Sequence, residues 1–207
     1  DDILRPKLDS LLEVYGDLPI AGEIAIERFA TMDRDRRNET FTAEEKVNYI
    51  HQTLDKWSQW PRIKSLKNNE AEMIRSQFYL GNNTSGRPLI TPMTAQQIPV
   101  RELRNLKELN LKVYAVKANG TIDINPDYET GYKKIKPLLG QVVYETTRQY
   151  TGHQPYDIFE DSLTIEGLPI GVYMLEFSTQ PATRVTRRLY YVTDVFVMAE
   201  PQPDERV

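Results

Sequence analysis

The spacing of apolar side chains changes its period once along this chain, near residue 72, and no single kind of secondary structure satisfies both patterns. Ahead of that point the spacing is helical. Leu4, Leu8, Leu11, Leu12 and Tyr15 fall on one 3.6-residue face, and Gly16 supplies a stop. A second helix is expected from Pro19 to about Met32, presenting Ile20, Ile24 and Phe29. Ala43, Val47, Ile50, Leu54 and Trp57 keep a four-three alternation, and Thr42 with Glu45 frames the start of that helix as a capping box. Pro61 then interrupts. These helices are expected to fill roughly residues 2–60 as a small antiparallel helical unit; a helical-repeat fragment is one form it could take, although no repeat period is clean.

Beyond residue 72 the period is two. NLKELNLKVYAVK, QVVYETTRQY, YDIFEDSLTIEG, GVYMLEFSTQ and TRRLYYVTDVFVMA are rich in β-branched and aromatic residues and are separated by Gly, Pro, Asn or Asp. EMIRSQFYLG reads as a first strand or a last helix, with the strand favoured. DSLTIEGLPI followed by GVYMLEF predicts two antiparallel strands joined at a Leu-Pro corner. There Pro169 and Gly171 shape the turn, and if Gly171 holds a positive φ a β-branched residue in its place is expected to be costly. Asn125-Pro126 through Gly140 carries an N-cap, a first-turn proline and a closing glycine, which predicts a short inserted helix near residues 126–139. The expected fold class is therefore α+β: a helical domain over 1–70, then an immunoglobulin-like antiparallel β-sandwich over 71–207.

Composition narrows the function classes. With 40% hydrophobic and 27% charged residues the chain is expected to fold. Its 26 Lys and Arg are scattered among 30 acids, so no basic face for nucleic acid stands out. The absence of cysteine removes disulfides, thiolate metal sites and a cysteine nucleophile together. No run reaches the roughly 20 apolar residues of a membrane helix. The start at Asp1, without Met or a signal peptide, is expected of a mature or excised segment, and AEPQPDERV is expected to be a linker over 200–207.

Candidate chemistry is sparse. Asp33, Asp35 and Glu44 match positions 1, 3 and 12 of a calcium-binding EF-hand loop, but Arg37 and Asn38 stand where a ligand and the turn glycine belong. An ordinary charged interhelical loop is the expectation. His51 and His153 are about a hundred positions apart, without a metal-ligand spacing, and are expected to be solvated or structural. Glu160 and Asp161 are adjacent on a strand and point to opposite faces. Tyr144, Tyr150, Tyr156, Tyr173, Tyr190 and Tyr191 could form an exposed stacking row for sugars or protein; the expectation is instead that one of each alternating pair is core and its neighbour half-buried. Asn38, Asn82, Asn83 and Asn119 begin N-x-Ser/Thr triplets. Catalytic, cofactor-binding and metal residues are accordingly none.

RNLKELNLKVYAV, then YTGHQPYDIFEDSLTIEGLPIGVYMLEFS, then RRLYYVTDVFVMAE resembles a macroglobulin domain of a bacterial alpha-2-macroglobulin-like protein, with Arg104, Asn105, Val113, Tyr114, Leu168 to Tyr173 and Val192 to Asp194 carrying the likeness. It covers about residues 72–207. The resemblance implies a structural part of a cell-envelope protein that traps or inhibits endopeptidases. Its partners would then be proteases, engaged by the full-length protein, and neighbouring macroglobulin domains of the same chain. This segment would be neither an enzyme nor a user of cofactors. The family's Cys-Gly-Glu-Gln thioester is absent. The alternative from another class is a surface binding module for carbohydrate or protein, marked by a contiguous exposed aromatic patch.

Overall fold

The computed structural model describes residues 3–35, 37, 39–81, 89–120 and 122–194. The expected linker 200–207 and the triplets at Asn38, Asn82 and Asn83 lie outside these residues. Two compact units interleave along the chain. The first comprises Asp1–Phe78, Glu102–Leu106 and Tyr150–Phe159; the second comprises Tyr79–Arg101, Lys107–Gln149 and Glu160–Val207.

In the first unit, helices α1 (Leu4–Tyr15), α2 (Ala21–Asp33), α3 (Ala43–Lys56) and α4 (Lys64–Ile74) follow one another, with a 3₁₀ turn at Pro61–Ile63. Pro61 thus interrupts the helical run without ending it, and α4 lies beyond the expected limit near residue 60. The α3 capping box forms as its sequence predicts: Thr42 Oγ1 accepts from Glu45 N at 3.1 Å, and Glu45 Oε2 accepts from Thr42 N at 2.8 Å. Ile26, Phe29, Ile50, Ile63 and Leu66 form the core, with Tyr49, Leu54, Trp57, Trp60 and Met73 packed around it. Tyr49 Oη donates to Ala25 O at 3.2 Å, and burial pushes its hydroxyl up to about 12. The segment EMIRSQFYLG divides: its first residues end α4, and Gln77–Leu80 is strand β1.

The remaining strands are β2 (Leu89–Ile90), β3 (Gln96–Arg104), β4 (Glu108–Val116), β5 (Leu139–Gln149), β6 (Phe159–Ile165), β7 (Gly171–Gln180) and β8 (Thr186–Val192). They form a three-stranded sheet ordered β1-β3-β6 and a five-stranded sheet ordered β2-β8-β7-β4-β5. The class is α+β. Every pairing within β8-β7-β4-β5 is antiparallel, whereas the two-residue β2 runs parallel to β8, a departure from the all-antiparallel expectation.

The inserted helix is shorter than its sequence signals suggest. Helix α5 spans Glu129–Ile135, followed by a 3₁₀ turn at Lys136–Leu138. Asn125 does not cap it: Asn125 Oδ1 accepts Asp127 N at 3.0 Å, closing a local turn, and Gly140 belongs to β5. A short side chain that satisfies its own turn competes with the cap geometry and moves the helix start downstream.

The five-stranded sheet is buried on both faces at its centre. On one face Leu109, Leu111 and Val113 of β4 stand opposite Thr179, Phe177 and Leu175 of β7, and all six are buried. On the other face Val116, Val172, Met174 and Tyr191 cluster with Ile135 of α5. Central strands covered twice read as continuous apolar runs rather than strict alternation, which is why Tyr190 and Tyr191 are both buried. The expectation of one core and one half-buried tyrosine per pair fails there.

Candidate functional site

The corner between β6 and β7 joins the two sheets. β6 lies in the three-stranded sheet and β7 in the five-stranded one, so the two are not the hairpin partners that the sequence suggests. Each strand found more complementary neighbours: β7 sits between β4 and β8. Side chains bridge the sheets near this corner. Tyr144, paired with Val113 and so on its face, donates from Oη to Thr164 O of β6 at 3.0 Å. Arg148, paired with Leu109, holds Asp161 of β6 through Nε at 2.8 Å and Nη2 at 3.2 Å.

Glycine matters at this corner, but at Gly167 rather than Gly171. A Cβ on Gly167 would come within 2.4 Å of Met93 C, because Met93 N donates to Leu168 O at 2.9 Å and draws that backbone close. Gly171 begins β7, and the described glycines with left-handed φ are Gly120 and Gly152. The condition of a positive φ at Gly171 is therefore not met, and the cost argued for a β-branched residue there on that ground falls away. Tyr173 fixes the corner by donating from Oη to Pro169 O at 2.8 Å, and burial raises its pKa. Its strand-pair neighbour Tyr190 has a buried Oη without a protein partner among the described residues and is pushed up to about 12.

Beside the corner, the ends of β4 and β7 and residues 117–119 frame an open groove of about 550 Å³. Ile170 is 59% exposed there, and Lys117 and Asn119 are exposed beside it. The lining supplies one ammonium, one amide and apolar surface, and the Tyr173 hydroxyl is already engaged. Such a lining can seat another surface; it brings no acid and base together around one bond.

The other candidates are dispersed. Asp35 accepts backbone N–H groups from Glu39 at 3.0 Å, Thr40 at 2.9 Å and Phe41 at 2.9 Å, which hold its carboxyl below the ordinary range. Lys46, buried and with its pKa lowered by desolvation, donates to Asp35 O and stands 4.0 Å from Asp35 Oδ2. Asp33 ends α2 and Glu44 is exposed in the first turn of α3, so the EF-hand-like positions build a loop brace. His51 Nε2 lies 2.6 Å from Glu70 Oε1, tying α3 to α4. His153 stacks on Phe159 at 3.6 Å between centroids, with Tyr150 edge-on to Phe159 at 5.1 Å. Asp161 pairs with Arg148 as above, while Glu160 is exposed. Among the described residues no group of three His, Cys, Asp or Glu gathers for a metal, and no helix is long and apolar enough to cross a membrane.

The six tyrosines form no exposed row: Tyr173, Tyr190 and Tyr191 are buried, and Tyr144, Tyr150 and Tyr156 are half-buried. Tyr191 Oη donates to Ile122 O at 3.1 Å and accepts from Ile122 N at 3.2 Å, pinning a loop over the sheet. Two features carried little weight in the sequence. Asn105 closes a turn with φ 53° and binds the end of α4, and the tryptophan pair Trp57 and Trp60 lines a pocket. Asn-Leu after a strand and the spacing W-S-Q-W-P were the available signals.

No protein-family model matches the chain, and no curated protein matches it. Solved structures resemble it weakly. A variant of the superoxide reductase (neelaredoxin) from Ignicoccus hospitalis aligns at 8% identity and TM-score 0.32, over 59% of this chain and 85% of its own. A Niemann-Pick type C2 protein from Japanese carpenter ant aligns at 10% identity and TM-score 0.29, over 57% and 90%. Pseudomonas fluorescens alkylpurine DNA glycosylase AlkC, bound to DNA containing an abasic site analog, aligns at 6% identity and TM-score 0.28, over 83% and 53%. At TM-scores this low, none of them bears on what the chain does.

Proposed function

We propose that this chain is a non-catalytic structural part of a bacterial alpha-2-macroglobulin-like envelope protein that restrains endopeptidases, and that its strand-rich unit is a macroglobulin-type, immunoglobulin-like sandwich. The observation that carries the reading is the Leu168–Ile170 corner, across which the chain leaves one sheet and enters the other. The Tyr173 hydroxyl bond to a carbonyl four residues upstream resembles the tyrosine corner of such sandwiches. The inter-sheet ties Tyr144–Thr164 and Arg148–Asp161 support it further. In this reading the chain supplies rigid spacing, and the groove rimmed by Lys117 and Ile170 seats a neighbouring macroglobulin domain. Proteases engage the whole protein rather than this part, because trapping needs a cleavable bait segment and a large rearrangement.

The test mixes the purified chain with a panel of endopeptidases and follows protease activity and chain cleavage together. The expected outcome is unchanged activity against protein and small substrates alike, with the strand-rich unit resisting cleavage. Stoichiometric inhibition by the chain alone would overturn the scaffold reading.

A further inference from the structure

The chain's two tryptophans, Trp57 and Trp60, stand three residues apart where α3 ends. Gly22 of α2 is what lets both side chains approach that helix so closely. A Cβ there would come within 2.9 Å of Trp60 Cβ and Cγ and 3.1 Å of Trp57 Cβ. Both indole N–H groups are committed internally. Trp57 Nε1 donates to Gly16 O at 3.1 Å, and Trp60 Nε1 donates to Glu23 Oε2 at 2.8 Å. Arg62 holds the other oxygen of that same carboxylate. The rings are thus fixed, and between them and the α1–α2 turn lies a pocket of about 270 Å³. Leu18, Pro19 and the indoles supply its apolar wall, and Asp17, Lys56 and Gln59 its polar rim. Lys56 Nζ stands 4.9 Å from the Trp57 ring centroid.

We infer that this pocket binds carbohydrate, one pyranose ring seating its C–H face on the indoles while its hydroxyls meet Asp17, Lys56 and Gln59. Two observations favour a sugar over other ligands of aromatic pockets. The rim combines an acceptor-only carboxylate, a donor-only ammonium and an amide that does both, the mixture that vicinal hydroxyls require. The tryptophan N–H groups are unavailable to a peptide carbonyl, which weakens the case for a proline-rich strand laid in an aromatic groove. The volume falls just below the usual range for larger organic ligands, about 300–1,000 Å³, and suits a single ring. The site belongs to the helical unit and stands apart from the protease proposal, whose test reads a different surface.

Because both tryptophans line the pocket, their emission, excited at about 295 nm where the twelve tyrosines scarcely absorb, reports this site. The chain is titrated with cellobiose, maltose, chitobiose and methyl mannoside, each to about 50 mM, the range in which weak single-ring binding saturates. One of them is expected to give a saturable spectral shift. Asp17→Ala and Gln59→Ala alter exposed side chains and should leave far-UV circular dichroism unchanged while weakening that response about tenfold or more. No saturable response to any of the four sugars overturns the inference. So does a sugar response that neither variant weakens, and so does saturation by a polyproline peptide or trimethyl-lysine in place of sugar.

Discussion

Arg187 of β8 stands with its guanidinium carbon 3.7 Å from the centroid of the Tyr132 ring of α5, while its Nε holds Glu176 Oε2 of β7 at 2.6 Å. Asp127 Oδ1 accepts the backbone N–H of the same arginine at 3.0 Å, and Arg184 pairs with the other oxygen of Asp127. The register continues the charge alternation across the sheet: Glu145, Lys112, Glu176 and Arg187 are successive cross-strand partners, with Lys112 Nζ 3.5 Å from Glu145 Oε1. One arginine thereby fastens the inserted helix to the sheet.

Arg187→Ala should destabilise the chain by about 2–4 kcal/mol, because it removes the ring contact and leaves a largely buried Glu176 without its closest cation. Arg187→Lys should recover only part of this, since an ammonium lacks the flat face that stacks on Tyr132. Urea unfolding of the two variants gives the comparison. Full recovery in the lysine variant would show that stacking contributes nothing.

Asn105 tests a different kind of junction. Its φ of 53° suits a short polar residue, and its Nδ2 donates to Met73 O at 3.1 Å, satisfying a carbonyl at the end of α4. Asn105→Gly keeps the backbone and loses the bond, at about 1 kcal/mol. Asn105→Ala loses both and should cost about 2 kcal/mol or more. A thermal ranking in which the alanine variant melts above the glycine variant would remove the backbone part of this argument.

At the corner, Gly167→Ala must displace the Met93 backbone, whose carbonyl carbon would lie 2.4 Å from the new Cβ, and should cost about 2–3 kcal/mol. Gly171→Ala meets only the Tyr173 side chain, with Oη nearest at 3.3 Å, and should cost less than about 1 kcal/mol. Chemical denaturation of both variants separates them. A larger loss at Gly171 would return the conformational requirement to β7.

Asp35 sets an acid limb. Its folded-state pKa lies below the ordinary 3.8 because three backbone N–H groups favour the carboxylate. A depressed carboxyl contributes stability that is full above the unfolded value and is lost as pH falls through the folded one. The urea midpoint, followed from about pH 6 to about pH 2.5, should fall below the ordinary value, and Asp35→Asn should flatten that fall. An unchanged slope in the variant would assign the limb to other carboxylates.

The same geometry predicts the response to calcium. Asp35 is occupied by its own loop and neighboured by the Lys46 ammonium, so calorimetric titration should show no binding tighter than about millimolar. A tighter isotherm abolished in Asp35→Asn would mean that the loop opens to make a site.

Local structure was legible in the residues themselves. The four-three stripe and the Thr42–Glu45 box placed α3, and period-two apolar runs placed β4, β5, β7 and β8, because helix caps and side-chain alternation depend on residues a few positions apart. Partners came from the folded chain. DSLTI and GVYMLEF look like a hairpin, yet β7 pairs with β4 through the full register Glu108↔Gln180 to Val116↔Val172, and β6 joins the other sheet. Backbone pairing carries no address in local sequence; the burial available on each face chooses it. The same holds for Gly167, Asn105 and Trp60, whose roles come from a backbone or side chain far along the chain. A glycine, an asparagine and a tryptophan announce special needs, but only the folded chain brings up the Met93 backbone, the Met73 carbonyl and the Glu23 carboxylate that those needs answer.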